Sequence, residues 1–320
     1  MRSIRVASLF AGVGGICLGF QKAGYNVIWA NEIDKKACRT YKANFGDNYL
    51  VEGDIRKIHT ESIPDFEVLV AGFPCQAFSI AGYRKGFHDE RGNLFFEILR
   101  IIREKRPRAI FLENVKNLEN HDKGRTFSII ERELHKSGFM IKKQILNTSE
   151  YANIPQNRER IYIVGFRTEK DLEKFEFPLP TKLTKKIDDV IARNEQKPEK
   201  YYYRDTSPYY EMLRSSINNL GTVYQIRRVY IRENKNNVCP TLTANMGGGG
   251  HNVPIIKDKF GIRKLTPKEC FAFQGFPDDF ILPVDVSDTS LYKQAGNSVS
   301  VPVVYKIANQ MRKAIRDGNS

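Results

Sequence analysis

Three short segments hold residues able to do covalent or acid–base chemistry. Cys75 stands in Gly72-Phe73-Pro74-Cys75-Gln76, directly after the apolar run Val68-Leu69-Val70. Glu113-Asn114-Val115 ends a second apolar run, and Gln156-Asn157-Arg158-Glu159-Arg160 precedes a third. A free thiol titrates near about pH 8.5, so a nucleophilic thiolate needs a nearby cation or oriented backbone donors. A lone cysteine is more often inert packing. A cysteine, a glutamate and two arginines meeting at the carboxyl edge of one sheet would be a covalent catalyst instead. The other four cysteines, Cys17, Cys38, Cys239 and Cys270, lack such company. They form no C-x-x-C pair and complete no zinc pattern with the histidines, so they read as small buried residues, and no metal is expected.

A second group of residues suits ligand binding. Phe10-Ala11-Gly12-Val13-Gly14-Gly15 lies between a strand-like and a helix-like segment, where glycines let the backbone turn sharply and approach a ligand. It is not the dinucleotide fingerprint, because position 17 is Cys17 rather than glycine. Glu32, 20 residues after Gly12, ends the next strand, where an acid can accept from ribose hydroxyls. Asp54 follows at the end of a third strand and could accept from an adenine amino group. Glycine turn and acids together suit an adenosine-containing ligand better than a pyrophosphate.

These residues need a frame that brings strand ends together. Residues 5–10, 25–31, 67–72, 108–113 and 160–166 read as buried strands. Between them, residues 15–23, 35–44, 94–104 and 126–137 read as helices, the third with a Leu94/Ile98/Ile101/Ile102 face. Such alternation implies a largely parallel sheet with helices on both faces. The texture changes near Phe177-Pro178-Leu179-Pro180. Beyond it come a tyrosine cluster (Tyr201, Tyr202, Tyr203, Tyr209, Tyr210), polar stretches and Gly247-Gly248-Gly249-Gly250, with no regular alternation. Residues 177–262 hold 14 Lys and Arg against 8 Asp and Glu, and read as a loop-rich, basic second domain whose tyrosines could be its core. From 291 to 316 a loop and a final amphipathic helix (Val303, Ile307, Met311) are predicted.

Composition sets the class of partner. With 320 residues, 41% hydrophobic and 28% charged, the chain has the make-up of an ordinary globular protein. No apolar run approaches a membrane span, and residues 1–5 run straight into a strand, so neither membrane insertion nor a signal peptide is expected. A net charge of +14 points to a polyanion, most often nucleic acid.

Taken in order, these segments resemble the DNA (cytosine-5) methyltransferases of bacterial restriction–modification systems. The matching stretches are Phe10 to Gly15, Glu32, Gly53-Asp54, Gly72 to Gln76 with Phe78-Ser79, Glu113-Asn114-Val115, and Gln156 to Arg160. Arg263-Lys264-Leu265-Thr266-Pro267 with Glu269, and Gln294-Ala295-Gly296-Asn297-Ser298-Val299, complete the set. The likeness runs from about residue 4 to about 312 and is weakest from 177 to 235.

The resemblance implies a Rossmann-like S-adenosylmethionine-dependent methyltransferase fold, with a mixed, mostly parallel sheet, plus a smaller target recognition domain. The expected catalytic domain is 1–176 with 286–320, and the recognition domain is 177–285, of which 263–285 is a hinge and motif region. Cys75 would add to carbon 6 of a flipped cytosine, Glu113 would act at its N3 and amino group, and Arg160 at its O2, with Arg158 in support. S-adenosylmethionine, leaving as S-adenosylhomocysteine, would lie against Phe10, Gly12, Val13, Gly14, Gly15, Glu32, Ile33, Asp54, Ile55, Pro74, Leu94, Asn297 and Ser298. Residues 80–92 would close over DNA, touched also by Gln76, Ser79, Arg84 and Lys85. Arg227, Arg228, Arg232, Thr241, Leu242, Thr243, Gly248 and Gly249 are the expected contacts of the recognition domain. The partner would be double-stranded DNA and the enzyme a cytoplasmic, nucleoid-associated monomer. A cognate restriction endonuclease would share its sequence without binding it. A tRNA cytosine-5 methyltransferase and a catalytically silent DNA-binding member are the competing readings.

Overall fold

Local sequence accounts for the first elements of the protein, whose computed structural model describes residues 3–73, 94–248 and 252–317. The apolar run β1 (Arg5–Leu9) leads through the glycine turn into α1 (Gly15–Lys22). Next come β2 (Asn26–Glu32) and α2 (Lys35–Phe45), whose first turn is capped by the Asp34 carboxylate accepting from the Lys36 and Ala37 amides. β3 (Leu50–Glu52), β4 (Val68–Gly72), α3 (Leu94–Lys105), β5 (Ala109–Val115), α4 (Arg125–Lys136) and β6 (Met140–Asn147) follow. The short α5 (Thr148–Tyr151) precedes β7 (Glu159–Phe166) and α6 (Glu169–Lys174).

The chain divides into two compact units: Met1–Leu146, Glu159–Leu179 and Val303–Ser320 form the first, Asn147–Arg158 and Pro180–Pro302 the second. Relative to the expected boundaries, residues 147–158 and 286–302 group with the second unit.

In the first unit seven strands run in the order β3-β2-β1-β4-β5-β7-β6. Strands β3, β2, β1, β4 and β5 are mutually parallel, and β7 pairs antiparallel with β5. The chain order reverses at β1, so right-handed crossovers place α1 and α2 on one face and α3 on the other. On the second face Leu9, Leu69, Ile110 and Leu112 pack with Phe95, Ile98 and Ile102 of α3 and Phe127, Ile130 and Leu134 of α4. On the first face Phe20 of α1 meets Phe111 of β5 edge-on, with ring centroids 5.2 Å apart. The last helix, α10 (Val301–Asp317), covers α1. The Tyr25 hydroxyl donates to the Ala308 carbonyl at 3.1 Å, and a Cβ on Gly19 would lie 2.6 Å from Val304. Val303, Ile307 and Met311 are its buried stripe, as predicted.

The second unit is more regular than its sequence suggests. β8 (Tyr202–Tyr203), α7 (Tyr210–Ser216), β9 (Tyr224–Ile226), β10 (Ile231–Glu233), β11 (Ile255–Asp258) and β12 (Gly261–Lys264) appear in turn. The strands form a five-stranded sheet in the order β10-β9-β11-β12-β8, antiparallel at every pairing. Its core gathers Leu213, Ile217, Tyr224, Ile226, Ile255 and Ile262, with Tyr203 and Tyr209 packed against it. α8 (Pro267–Phe273) and α9 (Asp288–Asn297) complete the unit, so residues 288–297 are helix where mostly loop was predicted. Thr266 and Glu269 make a reciprocal capping box on α8, and buried Arg263 pairs with Asp258 and Glu269. The segment Arg263 to Glu269 is therefore a structural joint.

Candidate active site and nucleic-acid interface

Strand register brings the catalytic candidates of the first unit together. Gly72, the last residue of β4, is paired with Glu113 on β5. One residue on, the Phe73 carbonyl accepts from the Asn114 side-chain amide at 2.8 Å. The backbone two residues before Cys75 is thus tied to the strand end that carries Glu113. Pro74, Cys75, Gln76, Ser79, Arg84, Lys85 and the expected closing segment 80–92 lie outside the described residues.

Arg160 completes the visible cluster. β7 pairs Val115 with Arg160, and the Arg160 Nε lies 3.1 Å from Glu113 Oε1, both side chains nearly buried. One Nη donates to the Glu159 carbonyl at 2.8 Å, which fixes the guanidinium plane. Gly72 leaves room in front of Glu113: a Cβ there would sit 3.4 Å from Glu113 Oε2 and 3.3 Å from Ile16.

Arg158, two residues away, is used otherwise. It belongs to the second unit, is 2% exposed, and donates to the carbonyls of Leu242, Gly296 and Ser298. A guanidinium bonded to three backbone oxygens shapes the unit. Gln156 and Asn157 work alongside it. The Gln156 side-chain amide donates to the Phe273 carbonyl at 2.6 Å, and the Asn157 backbone N–H donates to the Cys239 carbonyl at 2.8 Å. The pentapeptide Gln156 to Arg160 therefore serves both units: its first three residues tie the second, its last belongs to the first.

The expected cofactor residues of the first unit gather at the carboxyl ends of β1, β2 and β3. Phe10, Gly12 and Gly14 all have positive φ, 54°, 56° and 87°. Glycine is needed at Gly14 for space as well, since a Cβ there would meet the Phe45 ring at 2.2 Å. Glu32 organises the loop: Oε2 accepts from the Gly12 amide at 2.7 Å, and Oε1 from the Ile33 and Asp34 amides at 2.9 and 2.8 Å. Ile33, 63% exposed, offers an apolar side chain next to that carboxylate, whereas Val13 and Ile55 are buried. Asp54 follows β3, and its carboxylate caps the turn at Ile55–Lys57. The Arg56 guanidinium, donating to both oxygens at 2.9 Å, holds Asp54 below the usual carboxylate range, so it is a charged acceptor. Leu94 opens α3, partly buried against the core. Asn297 and Ser298, also expected at the cofactor, end α9 in the second unit.

The four cysteines read as packing are all buried. Burial pushes the Cys38 thiol up to about 12 and raises Cys17, Cys239 and Cys270 as well, so none is a nucleophile.

In the second unit the expected DNA contacts divide. Arg227, Arg232, Thr241 and Thr243 line one cavity of about 560 Å³ together with Gln225 and Asn234. Arg228 is exposed nearby, beside Val229 (85% exposed) and Tyr230. Leu242 does not join them: its side chain is 1% exposed, so it anchors the loop and cannot touch DNA with that side chain. The loop is pressed onto α9, because a Cβ on Gly296 would lie 2.1 Å from the Thr243 backbone and one on Gly247 2.5 Å from the Thr289 carbonyl. The glycines beside Thr243 thus serve close packing, with Gly248 exposed and Gly249 outside the described residues. Gln225 was not singled out by sequence; only its place on a strand beside Arg227 marks it.

Comparisons with known proteins place the chain in a family. The family model for C-5 cytosine-specific DNA methylases matches residues 4–313. Type II methyltransferase M.Bsp6I of Bacillus sp. (strain RFL6) is 56% identical over 315 residues, covering 98% of this chain and 99% of that one. M.HhaI of Haemophilus parahaemolyticus, also named a Type II methyltransferase, is 38% identical and covers 96% and 94%. Among solved structures, a Spodoptera frugiperda DNMT2 mutant superposes with a TM-score of 0.77 at 20% identity, covering 97% and 100% of the two chains. The fold is accordingly the Rossmann-like one of such methyltransferases. By its motifs, its sheet and the span of these matches, the chain belongs to the C-5 cytosine-specific DNA methylase family.

Proposed function

We propose that this protein is an S-adenosylmethionine-dependent DNA (cytosine-5-)-methyltransferase that modifies one cytosine within a short duplex sequence. In a restriction–modification system this would shield host DNA from an endonuclease cutting the same sequence, and a monomer suffices for it. The observation that carries the reading is the Glu113–Arg160 pair, built on the strand end in register with Gly72, three residues before Cys75.

The cofactor-binding residues fit an adenosine. Glu32 has carboxylate oxygens for ribose hydroxyls, Ile33 an apolar surface for the purine, and Asp54 a charged acceptor for the adenine amino group. Gly12 has open space where a side chain would stand. Phe10, Val13, Gly14, Gly15, Ile55 and Leu94 shape this loop and its floor, and we assign Pro74, Asn297 and Ser298 to the same ligand. S-adenosylmethionine bound there supplies a sulfonium methyl that carbon 5 of cytosine can receive.

Within a duplex the target base is out of reach, so it must flip out of the stack. The Cys75 thiolate bonds to carbon 6, and the C5–C6 π pair moves onto carbon 5, which becomes nucleophilic. Glu113 shares a proton with N3 and accepts from the exocyclic amino group, offsetting charge on the ring and selecting cytosine. Arg160 holds the other side of Glu113 and offers its remaining donors to O2. After methylation the carbon 5 proton leaves to a base, the C6–S bond breaks, and the thiolate returns.

Bisulfite sequencing of DNA from cells expressing the chain tests the proposal. One short motif with a protected cytosine is expected. Unprotected DNA together with methylated cytosine in tRNA would overturn it in favour of an RNA substrate.

A further inference from the structure

We infer that Gln225 and Arg227 form a donor-only pair that reads the major-groove edge of a guanine in the methylated sequence. This rests on the proposed DNA-methylating function. In the β9–β10 ribbon Gln225 stands opposite Arg232, and the Arg227 amide donates to the Tyr230 carbonyl at 2.9 Å, extending the pairing one residue past the strand. Strand alternation puts Gln225 and Arg227 on one face, with Arg232 across from them. All three line the cavity of about 560 Å³.

The chemistry of the pair selects a base. Arg227 Nη2 donates to Gln225 Oε1 at 3.0 Å. A guanidinium has no acceptor, so this contact fixes which way the amide points, with its oxygen on Arg227 and its NH2 elsewhere. Among the described residues, the Gln225 NH2 has no acceptor, and neither Arg227 nor Arg232 is paired with a carboxylate. Glu233, the carboxylate on the cavity lining, accepts from the Asn219 amide at 3.1 Å. With its oxygen turned towards Arg227, glutamine cannot set oxygen and NH2 side by side on one base edge, the donor-plus-acceptor pattern that matches adenine. What remains is a row of N–H donors. Guanine presents two acceptors, N7 and O6, in the major groove, which admits a two-stranded ribbon; adenine and cytosine each present an amino donor there that this row would oppose.

The test is methylation of a duplex library, randomised around the target cytosine, by the full-length protein and by Gln225→Glu and Arg227→Ala, read by bisulfite sequencing. The wild type should require guanine at a fixed position. Gln225→Glu keeps the bond from Arg227 but has no donor. It should cut methylation of the guanine-containing sites by about tenfold to a hundredfold, the worth of one bidentate base contact. Arg227→Ala should relax that position alone, and 7-deazaguanine placed there should slow the wild type but not this variant. Unchanged melting and S-adenosylmethionine binding would show both variants folded. An intact guanine preference in both, no fixed guanine in the wild-type target, or uniform loss over all sequences, as for a phosphate contact, would each overturn the inference. A wild type that methylates no cytosine in DNA would instead overturn the functional proposal beneath it.

Discussion

The two sheets of this protein position side chains in opposite ways. In the first unit Glu32, Glu113 and the Gly72 that leads towards Cys75 all stand at carboxyl ends of parallel strands, each held by backbone register. In the second unit Gln225, 7% exposed, and Arg232 face each other in the middle of a short antiparallel ribbon, while Thr241 and Thr243 stand on a loop pressed against a helix. Their polar atoms are only partly committed. Chemistry needs a few groups at invariant distances, which parallel strand ends supply. Recognition needs exchangeable side chains on a stiff support, which a ribbon and a clamped loop supply.

Five altered proteins would break or sharpen this contrast, beginning with the largest effect. Cys75→Ser should reduce methyl transfer to background while S-adenosylmethionine still binds in isothermal titration; measurable turnover would remove Cys75 from its role. The same variant should lose the single fast iodoacetamide label expected at pH 8, because the other four thiols are buried and raised. Next, Glu113→Gln should slow turnover by about 10²- to 10⁴-fold in single-turnover assays with little change in melting temperature, the range for a general acid–base group. In the second unit, Arg158→Ala should act on stability first. Losing charged bonds to three carbonyls should cost about 3 kcal/mol in urea unfolding, and loss of activity at full stability would restore Arg158 to the chemistry. The smallest effect is expected for Gly14→Ala, at about 1–3 kcal/mol from strain and the clash with Phe45, with part recovered by adding Phe45→Leu. Replacing residues 177–262 by those of a relative of different specificity probes the comparison itself, since the methylated sequence should change and the methylated atom should not.

Much of the first unit was legible because buried parallel strands are continuous apolar runs and their ends are marked by glycines and acids. β6 escaped: Met140–Asn147 carries Lys142, Lys143 and Gln144 in its middle and has one fully buried residue. The sheet of the second unit escaped for another reason. Its strands are two to four residues long, too short for a period of two to show. α9 was missed because Gly296, poor for a helix, is required by its contact with Thr243. At the site, Glu113 and Arg160 could be singled out from position, but the division of labour between Arg158 and Arg160 could not. Both look alike in sequence, and only the carbonyls around Arg158, from residues 84 to 140 positions away, set them apart. Gln225 is silent in sequence for the same reason, since its meaning depends on which way its amide is turned.

The clasp made by Arg158 also has a consequence for how the chain comes to be folded. Leu242, Gly296 and Ser298 emerge from the ribosome long after Arg158 itself. The helix that covers α1 comes later still, with Ala308 283 residues beyond the tyrosine it meets. Both units close through contacts of very high sequence separation, which form late and slowly. The nascent protein therefore waits, with a basic surface and an uncovered apolar helix, until residues 296 to 308 have been made. Truncation or stalling before residue 296 should leave both units unfinished, and chaperones rather than DNA would be the first partners of such a chain.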